Sequence, residues 1–347
     1  MSSWKDKIHE NPIPWLLELD QTQPAIRYFT LRDLLGRCDE DDEVKKALMA
    51  NMLTGPVPVI LAAQEQDGYW DKPGPGYGPK YRGTQWALVF MAQLGADGND
   101  PRVRTGCEYL LAQTIAKNGS LSMNGTPSGF IHCMAGNLGA ALIDLGWLKD
   151  QRLQTALEWQ AQTVTGEGIA DSMSIDTNKR FYKSGTSGAL FACSVNVGLS
   201  CAWGAVKAML ALSKVPPLLR TERMQTAIQQ GIDFLLSKDP AVADYPFGMG
   251  NKPSSSWFKF GYPIGYITDM LQNLEVLSAL GQVQEPRLEN ALKLLISKQD
   301  NQGRWLLEHT YNGKSWITIE KKGQPSKWVT LRALRVLKAA YPENTMI

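Results

Sequence analysis

Asp269 is the residue of this chain best placed, by its neighbours in the sequence, to act as a general acid. It lies near the start of a predicted apolar helix over residues 264–281 and follows Trp257, Tyr262 and Tyr266. A carboxyl group among aromatic rings loses hydration, which raises its pKa and keeps a proton on it. Because aspartate is also a favoured helix-capping residue, a structural cap is the alternative role.

Two other predicted helix starts combine a cation with tryptophan. Lys80, Tyr81 and Trp86 stand at one of them, and Lys327 and Trp328 stand at the other. A helix N-terminus has free N–H groups and a positive partial charge, so these positions could bind a phosphate-bearing or other anionic substrate. Lysines whose aliphatic chains only cover apolar surface give the same pattern. The expected substrate contacts are these five residues together with Trp257, Tyr262 and Tyr266.

Histidine and cysteine residues supply the possible metal ligands, which are His132, Cys133, Cys193, Cys201 and His309. Zinc needs three or four ligands that converge at bonding distance, and the spacing of Cys193 and Cys201 fits no standard zinc motif. Buried cysteine is also common as a small apolar residue. We therefore expect no metal site and no required cofactor, and assign His132, Cys133 and Asn137 to the substrate cavity.

A two-helix repeat must position these residues. Its first half, Arg-apolar-x-x-small-apolar, recurs at residues 102–107, 152–157, 223–228 and 287–292. The more polar helices are predicted over 4–19, 43–65, 101–116, 150–163, 220–238 and 286–299. The more apolar helices are predicted over 23–36, 83–95, 131–146, 195–214, 264–281 and 326–341. Helices packed on both sides are apolar nearly all round, so this pattern predicts an all-α (α/α)6 toroid of six inner and six outer helices, with residues 1–347 as one domain.

The links between these helices are unequal in length. Those that lead from an outer to an inner helix are long, at residues 66–82, 164–194, 239–263 and 300–325. Long loops inside a compact domain usually have a functional or packing reason. All four lie at the end of the toroid where the inner helices begin, so we place the site there.

Two outer-helix ends carry a Gln, Gly and Trp in the same order, from Gln64 to Trp70 and from Gln299 to Trp305. This pattern resembles the QW repeats of the squalene–hopene cyclase, oxidosqualene cyclase and protein prenyltransferase superfamily. The resemblance implies a toroid with a central cavity for a hydrophobic, isoprenoid-type small molecule, and general-acid chemistry of the cyclase kind. In that superfamily the QW residues are structural, so none of them is taken as catalytic.

The segment Asp39-Glu40-Asp41-Asp42 fits the Asp-x-Asp-Asp acid motif of class II terpenoid cyclases. The resemblance implies that its middle carboxylic acid would protonate an alkene or epoxide inside the cavity. Here the segment directly precedes an outer helix, at the end of the toroid opposite the long loops. Aspartate is favoured at such a helix start. We therefore expect a solvated helix cap rather than a catalytic acid.

Composition favours a soluble protein that acts on a small molecule. The net charge is +2, and the sequence has no long basic run that would support a nucleic-acid partner. The apolar stretch from Gly188 to Leu212 contains Asn196 and Lys207, which are costly in lipid, so we expect no transmembrane segment. Five irregularly spaced cysteines and the absence of an apolar leader indicate reduced thiols in the cytoplasm.

The sequence thus predicts an enzyme of the terpenoid cyclase or prenyltransferase type that acts on a hydrophobic molecule, with Asp269 as its acid. One alternative is a non-catalytic toroid that binds a lipid or a protein partner. Another is a zinc-dependent transferase or cyclase. The prenyltransferase form of the resemblance implies zinc bound through an Asp-x-Cys pair, and no such pair occurs in this chain.

Overall fold

The computed structural model describes residues 3–167, 187–248, 250 and 253–343. Within these ranges the chain forms thirteen α-helices and a single pair of two-residue strands, β1 and β2. The strands are Trp305–Leu306 and Pro325–Ser326, paired antiparallel in the last long link. Residues 168–186 of the predicted link 164–194 lie outside the described ranges.

Six helices form the inner ring. They are α2 (Pro24–Phe29, continued by a π-helical stretch Thr30–Leu34), α5 (Thr84–Gln93), α7 (His132–Asp144), α9 (Ala202–Ser213), α11 (Met270–Ala279) and α13 (Lys327–Ala340). Each packs against the next from α5 to α13, and α13 packs against α2. At the remaining joint, a Cβ added to Gly95 after α5 would lie 2.9 Å from the ring of Phe29 in α2. The ring is therefore closed, and the predicted (α/α)6 toroid is confirmed.

The outer helices cover this ring. They are α1 (Ile13–Leu16), α3 (Asp42–Leu53), α4 (Pro56–Ala62), α6 (Pro101–Thr114), α8 (Gln151–Thr165), α10 (Glu222–Leu236) and α12 (Glu289–Ser297). The second outer element is divided into α3 and α4 at Gly55, whose φ is 77°. No helix in the described part of the chain has both the length and the apolar character needed to cross a lipid bilayer.

The first outer element is not the single helix that was predicted over residues 4–19. It forms a 3-10 helix, Trp4–Lys7, and the short helix α1. Pro12 and Pro14 explain the difference, because proline has no N–H to donate and its ring clashes with the preceding helical turn.

The two ends of the chain meet and complete the toroid. The backbone N–H of Trp4 donates to the carbonyl oxygen of Tyr341 at 2.8 Å. The ammonium group of Lys338 in α13 donates to the carbonyl oxygens of Asp33 and Leu34 in the inner helix of the first pair, at 3.0 and 2.9 Å. Cationic groups stabilise free carbonyls at the C-terminal end of a helix. Closure therefore depends on polar contacts as well as on packing.

The Gln and Trp residues of the repeated segment tie neighbouring outer elements together. The indole of Trp70 donates to the carbonyl oxygen of Ile60 at 2.7 Å, and the amide of Gln64 donates to that of Arg102 in α6 at 2.9 Å. In the last copy the indole of Trp305 donates back to α12, and Gln299 donates to the carbonyl oxygen of Lys7 at 2.9 Å. These contacts give the residues a structural role.

A stretch of the link before α11 runs through the inside of the ring, and we call residues 261–268 the lumen segment. Gln93 of α5 exchanges two hydrogen bonds with the backbone of Ile264, both 2.7 Å long. Asn137 of α7 donates to the carbonyl oxygen of Gly265 at 3.1 Å. The lumen segment is thus bound to the inner faces of two helices, and a cavity lies on each side of it.

We expect Asp33→Asn to weaken closure of the toroid. Asp33 is paired with Arg335 of α13 and with Arg32, and it is 21% exposed. Its burial opposes ionisation, but these two guanidinium groups outweigh it and lower the pKa of the carboxyl group. The substitution should lower the free energy of unfolding by about 1–3 kcal/mol near pH 7, as expected for a lost hydrogen bond to a charged partner.

Urea unfolding measures this loss, with Glu289→Gln as the control. Glu289 pairs only with Lys293 at the exposed surface, so its change should be about 0.5 kcal/mol or less. Because folding lowers the pKa of Asp33, its contribution is present above the unfolded pKa of about 3.9 and disappears as the pH falls below it. Equal losses in the two variants at pH 7 would contradict the role of Asp33.

Candidate functional site

The first cavity lies at the end of the toroid where the long links are, and we call it the loop-end cavity. Its volume is about 500 Å³, within the range of small-molecule sites. The first residues of α7 and α9 form part of its wall. The Phe, Tyr and Trp residues of the wall are Tyr77, Phe191, Trp203, Tyr245, Phe247, Trp257 and Tyr266. The wall has no aspartate or glutamate among the described residues.

Lys80 brings a positive charge to this aromatic wall. Its ammonium nitrogen lies 4.3 Å from the ring centre of Tyr266 and 5.8 Å from that of Tyr77. Burial raises the pKa of Tyr77 to about 12, so its phenol is neutral at physiological pH. Trp257 is also part of the wall, although its indole N–H donates to the carbonyl oxygen of Pro240. Lys80, Trp257 and Tyr266 therefore lie together at the wall of one cavity.

His132 lies at the same wall but is held by two hydrogen bonds. Its Nε2 contacts the carbonyl oxygen of Gly188 at 2.8 Å, and its Nδ1 contacts the amide of Gln160 at 2.9 Å. Burial lowers the pKa of His132 to about 4. The ring is therefore neutral, accepts from Gln160 and donates to Gly188. With both nitrogens occupied, it has no lone pair free for a metal ion.

Three thiols line the loop-end cavity. A hydrogen bond from the thiol of Cys201 lowers the pKa of Cys193 to about 6, and the backbone N–H groups of Asn196 and Val195 act in the same direction. Burial raises the pKa of Cys133 to about 11. At neutral pH Cys193 is therefore the nucleophilic thiolate of the three.

The proposed metal ligands do not form a metal site within the described residues. Cys133, Cys193 and Cys201 share the cavity wall, but no group of three His, Cys, Asp or Glu side chains in this part of the chain is arranged to hold an ion. His309 packs edge-on against Tyr311, with ring centres 5.0 Å apart.

Asp269 has a different environment from the one that the sequence predicted. It is 2% exposed, and both of its oxygens lie 3.1 Å from guanidinium nitrogens of Arg332 in α13. It also caps α11 by accepting from the backbone N–H of Gln272 at 2.7 Å and accepts from the N–H of Gly261. Both carboxylate oxygens therefore only accept hydrogen bonds, and they face a guanidinium group as in an ion pair. This geometry contradicts a neutral acid and favours the structural cap.

Four more of the predicted contacts pack inside the protein. Tyr81 stacks on Tyr311 with ring centres 4.2 Å apart, and Trp86 is fully buried beside Tyr81. Tyr262 stacks on Trp328 with ring centres 4.0 Å apart and planes 9° from parallel. These aromatic contacts hold the loops and the lumen segment in place, and none of the four residues is part of the wall of the loop-end cavity.

Lys327 and Asn137 are likewise occupied away from the loop-end cavity. Lys327 is paired with Glu18 at 3.1 Å and with Asp20 at 3.3 Å. These ion pairs attach the chain between α1 and α2 to α13. Asn137 holds Gly265 and lines the cavity on the other side of the lumen segment. Lys327 and Trp328, both predicted as substrate contacts, therefore lie outside the wall of the loop-end cavity.

The second cavity lies at the opposite end of the toroid, where the links are short, and we call it the short-link cavity. Its volume is about 640 Å³, and its wall is rich in charged groups. They include Arg32, Asp33, Asp144, Lys214, Glu275, Arg332 and Arg335. Asp41, at the same end, caps α3 by accepting from the N–H of Glu43 at 2.8 Å. The capping role expected for the Asp39–Asp42 segment is confirmed.

Lys207 is the residue that sequence reasoning did not select. It lies in α9 with no exposed surface, and its ammonium nitrogen has no hydrogen-bond partner in the described structure. A buried charge without a partner is costly, and burial lowers the pKa of Lys207 to about 7. The signal in the sequence was a lone cation inside the apolar stretch 188–212.

Comparison with known proteins gives no family. No protein-family model matches the chain, and no curated protein matches it. Among solved structures, a type II terpene cyclase, MstE from Scytonema, is 17% identical, covering 93% of this chain and 88% of that one with a TM-score of 0.46. A variant of that cyclase in complex with geranylgeranyl dihydroxybenzoate is 16% identical, covering 93% and 88% with a TM-score of 0.44.

An unsaturated glucuronyl hydrolase specific for heparin is similar to the same degree. It is 14% identical, and the match covers 92% of this chain and 85% of that one with a TM-score of 0.47. The activity of this protein must be argued from its own cavities.

We expect Asp269→Asn to unfold the protein rather than to remove a catalytic proton. The substitution leaves Arg332 buried, at 3% exposure, with Glu275 as its remaining carboxylate. Breaking a buried ion pair from one side typically costs about 3–5 kcal/mol. Asp41→Asn is the matched control, because Asn caps a helix nearly as well as Asp. A stably folded Asp269→Asn protein that has lost only activity would contradict this structural role and support Asp269 as the general acid.

We expect Cys193 to be the first cavity thiol to react with iodoacetamide. The measurement uses the Cys38→Ser protein, since Cys38 is exposed and would add a background reaction. The alkylation rate of Cys193 should be half-maximal near pH 6, because only the thiolate attacks. Cys201→Ala removes the hydrogen-bond donor and should move this midpoint to higher pH. An unchanged midpoint, or faster reaction of Cys133, would contradict the assignment.

Proposed function

We propose that this protein is an enzyme that binds a hydrophobic, isoprenoid-type small molecule in the loop-end cavity. The observation that carries the proposal is an aromatic wall around a space of about 500 Å³. Burial of apolar surface contributes about 25 cal/mol per Å², so a chain of isoprene units would gain most of its binding energy here. Ring faces would also stabilise a positive charge that develops on the bound chain.

Lys80 favours a molecule with an anionic or strongly polar end group. Its side chain is exposed at the rim and its ammonium group is close to Tyr266, so it can meet such a group while the apolar chain enters the cavity. The N-terminal ends of α7 and α9 add positive partial charge at the same wall. The cavity therefore has an apolar interior and a positively charged rim, which match a ligand with an apolar chain and an anionic or polar end group.

The reactive groups of this wall differ from those of an acid-initiated cyclase. Asp269 is in an ion pair, and the described wall has no carboxyl group but carries thiols, phenols, hydroxyls, an imidazole and an amine. Cys193 supplies a thiolate, and Cys133 supplies a protonated thiol. We accordingly place nucleophilic or proton-transfer chemistry at the wall formed by α7, α9 and the chain just before α9.

We expect farnesol to bind saturably and to change the tryptophan fluorescence, because Trp203 and Trp257 lie at the wall. Tyr266→Ala should weaken binding about tenfold, since an aromatic contact of about 1.4 kcal/mol is lost. Tyr69→Ala is the matched control, because Tyr69 packs on Tyr109 outside this cavity. Absence of saturable binding, or equal weakening in both variants, would remove the proposal. Analysis of the recovered ligand by mass spectrometry then separates an enzyme from a carrier.

A further inference from the structure

Lys207 is a buried amine just behind the loop-end cavity. Three residues of the same helix, Ala202, Trp203 and Gly204, lie at the cavity wall one turn before it. Side chains on an α-helix lean toward its N-terminus, which directs the Lys207 side chain toward that wall. The thiol of Cys133, across on α7, is a wall residue and interacts electrostatically with the ammonium group.

The helices α7 and α9 approach each other closely at this level. A Cβ added to Gly136 would lie 2.1 Å from the carbonyl oxygen of Lys207. The backbone of Lys207 is therefore fixed, while its side chain has four rotatable bonds with which to present the amine. Its nitrogen has no hydrogen-bond partner in the described structure that would hold it in another place.

The charged groups around this amine come from the two inner helices α11 and α13. Asp269 and Glu275 of α11 favour its protonated form, and Arg332 of α13 opposes it. Arg332 is itself engaged with both of these carboxylates, and neither of them pairs directly with Lys207 in the described structure. Burial therefore outweighs their attraction and lowers the pKa of Lys207. A buried lysine without its own counter-ion is neutral more readily and is then a nucleophile.

We propose that Lys207 forms a Schiff base with the carbonyl group of a hydrophobic aldehyde or ketone bound in the loop-end cavity. The proposal rests on the proposed function, because the apolar part of the ligand occupies that cavity. The amine nitrogen attacks the carbonyl carbon and forms a C–N bond. The carbonyl oxygen takes up the two protons that the nitrogen gives up and leaves as water, and a C=N bond remains. No oxidant, reductant or metal takes part.

The test uses the full-length protein with decanal and sodium cyanoborohydride, which reduces the C=N bond to a stable amine. Peptide mass spectrometry should find the decyl group on Lys207 in preference to the other lysines. At pH 7 an amine with a pKa of about 7 is half neutral, whereas an ordinary lysine with a pKa of about 10.4 is neutral in about one molecule in 2,500. The yield at Lys207 should fall as the pH is lowered through 7.

Lys207→Met is the diagnostic variant and Lys214→Met is its matched control. Methionine has a similar volume, and an apolar residue in place of a buried charge is neutral or stabilising, so the fold should persist. Lys214, at the end of the same helix, pairs with Asp144 at the surface, and its replacement should leave the adduct unchanged. Mapping in the unsubstituted protein decides the question even if Lys207→Met does not fold.

Decanol separates the two proposals, because it has the same chain but no carbonyl group. Saturable binding of decanol with an adduct at Lys207 supports both. Decanol binding with decanal attached only at surface lysines overturns the Schiff base and leaves the binding cavity intact. Absence of decanol and farnesol binding overturns the proposed function, and this inference with it.

Discussion

The buried ion pair between Arg332 and Asp269 is the constraint on which the interior of this toroid depends. Arg332 donates to both oxygens of Asp269 and, at 2.7 Å, to the carbonyl oxygen of Gly261. Asp269 in turn accepts from the N–H of Gly261 at 3.0 Å. Gly261 is the first residue of the lumen segment and Asp269 directly follows its last, so one guanidinium group holds both ends of the segment. Each charge has several hydrogen bonds, which is what makes burial of such a pair tolerable.

Because its ends are held, the lumen segment can separate two spaces of different character. Tyr262 and Ile264 face the short-link cavity, whose wall carries paired charges, while Tyr266 faces the loop-end cavity, whose wall is aromatic. A ring of six helices without this segment would have one continuous interior in which neither an apolar nor a polar ligand was preferred. The aromatic character of the wall of the loop-end cavity is therefore a consequence of the partition.

The helical toroid was predictable from the sequence, whereas the partition was not. Apolar and polar helices alternate along the chain, and this alternation indicates which helices are buried. The inference holds even where the predicted helix ends are wrong. The sequence pattern assigns the lumen segment partly to a long link and partly to the helix over 264–281. The residues Tyr262-Pro263-Ile264-Gly265 have no feature that distinguishes a buried irregular segment from a surface loop. The role of Asp269 was also predicted wrongly, because nothing near it in the sequence indicates its ion-pair partner. Its partner Arg332 lies 63 positions away in the sequence.

Lys207 and Asp269 show how differently a fold can treat two buried charges. Both lie on inner helices or at their starts, and both are at most 2% exposed. Asp269 is paired with Arg332, and this pair fixes the backbone of the lumen segment. Lys207 has no such partner within the described structure, so the fold gains nothing from its charge and would be at least as stable with an apolar residue there. Because the buried amine of Lys207 destabilises the fold and supports no other part of it, a chemical role explains its presence better than a structural one.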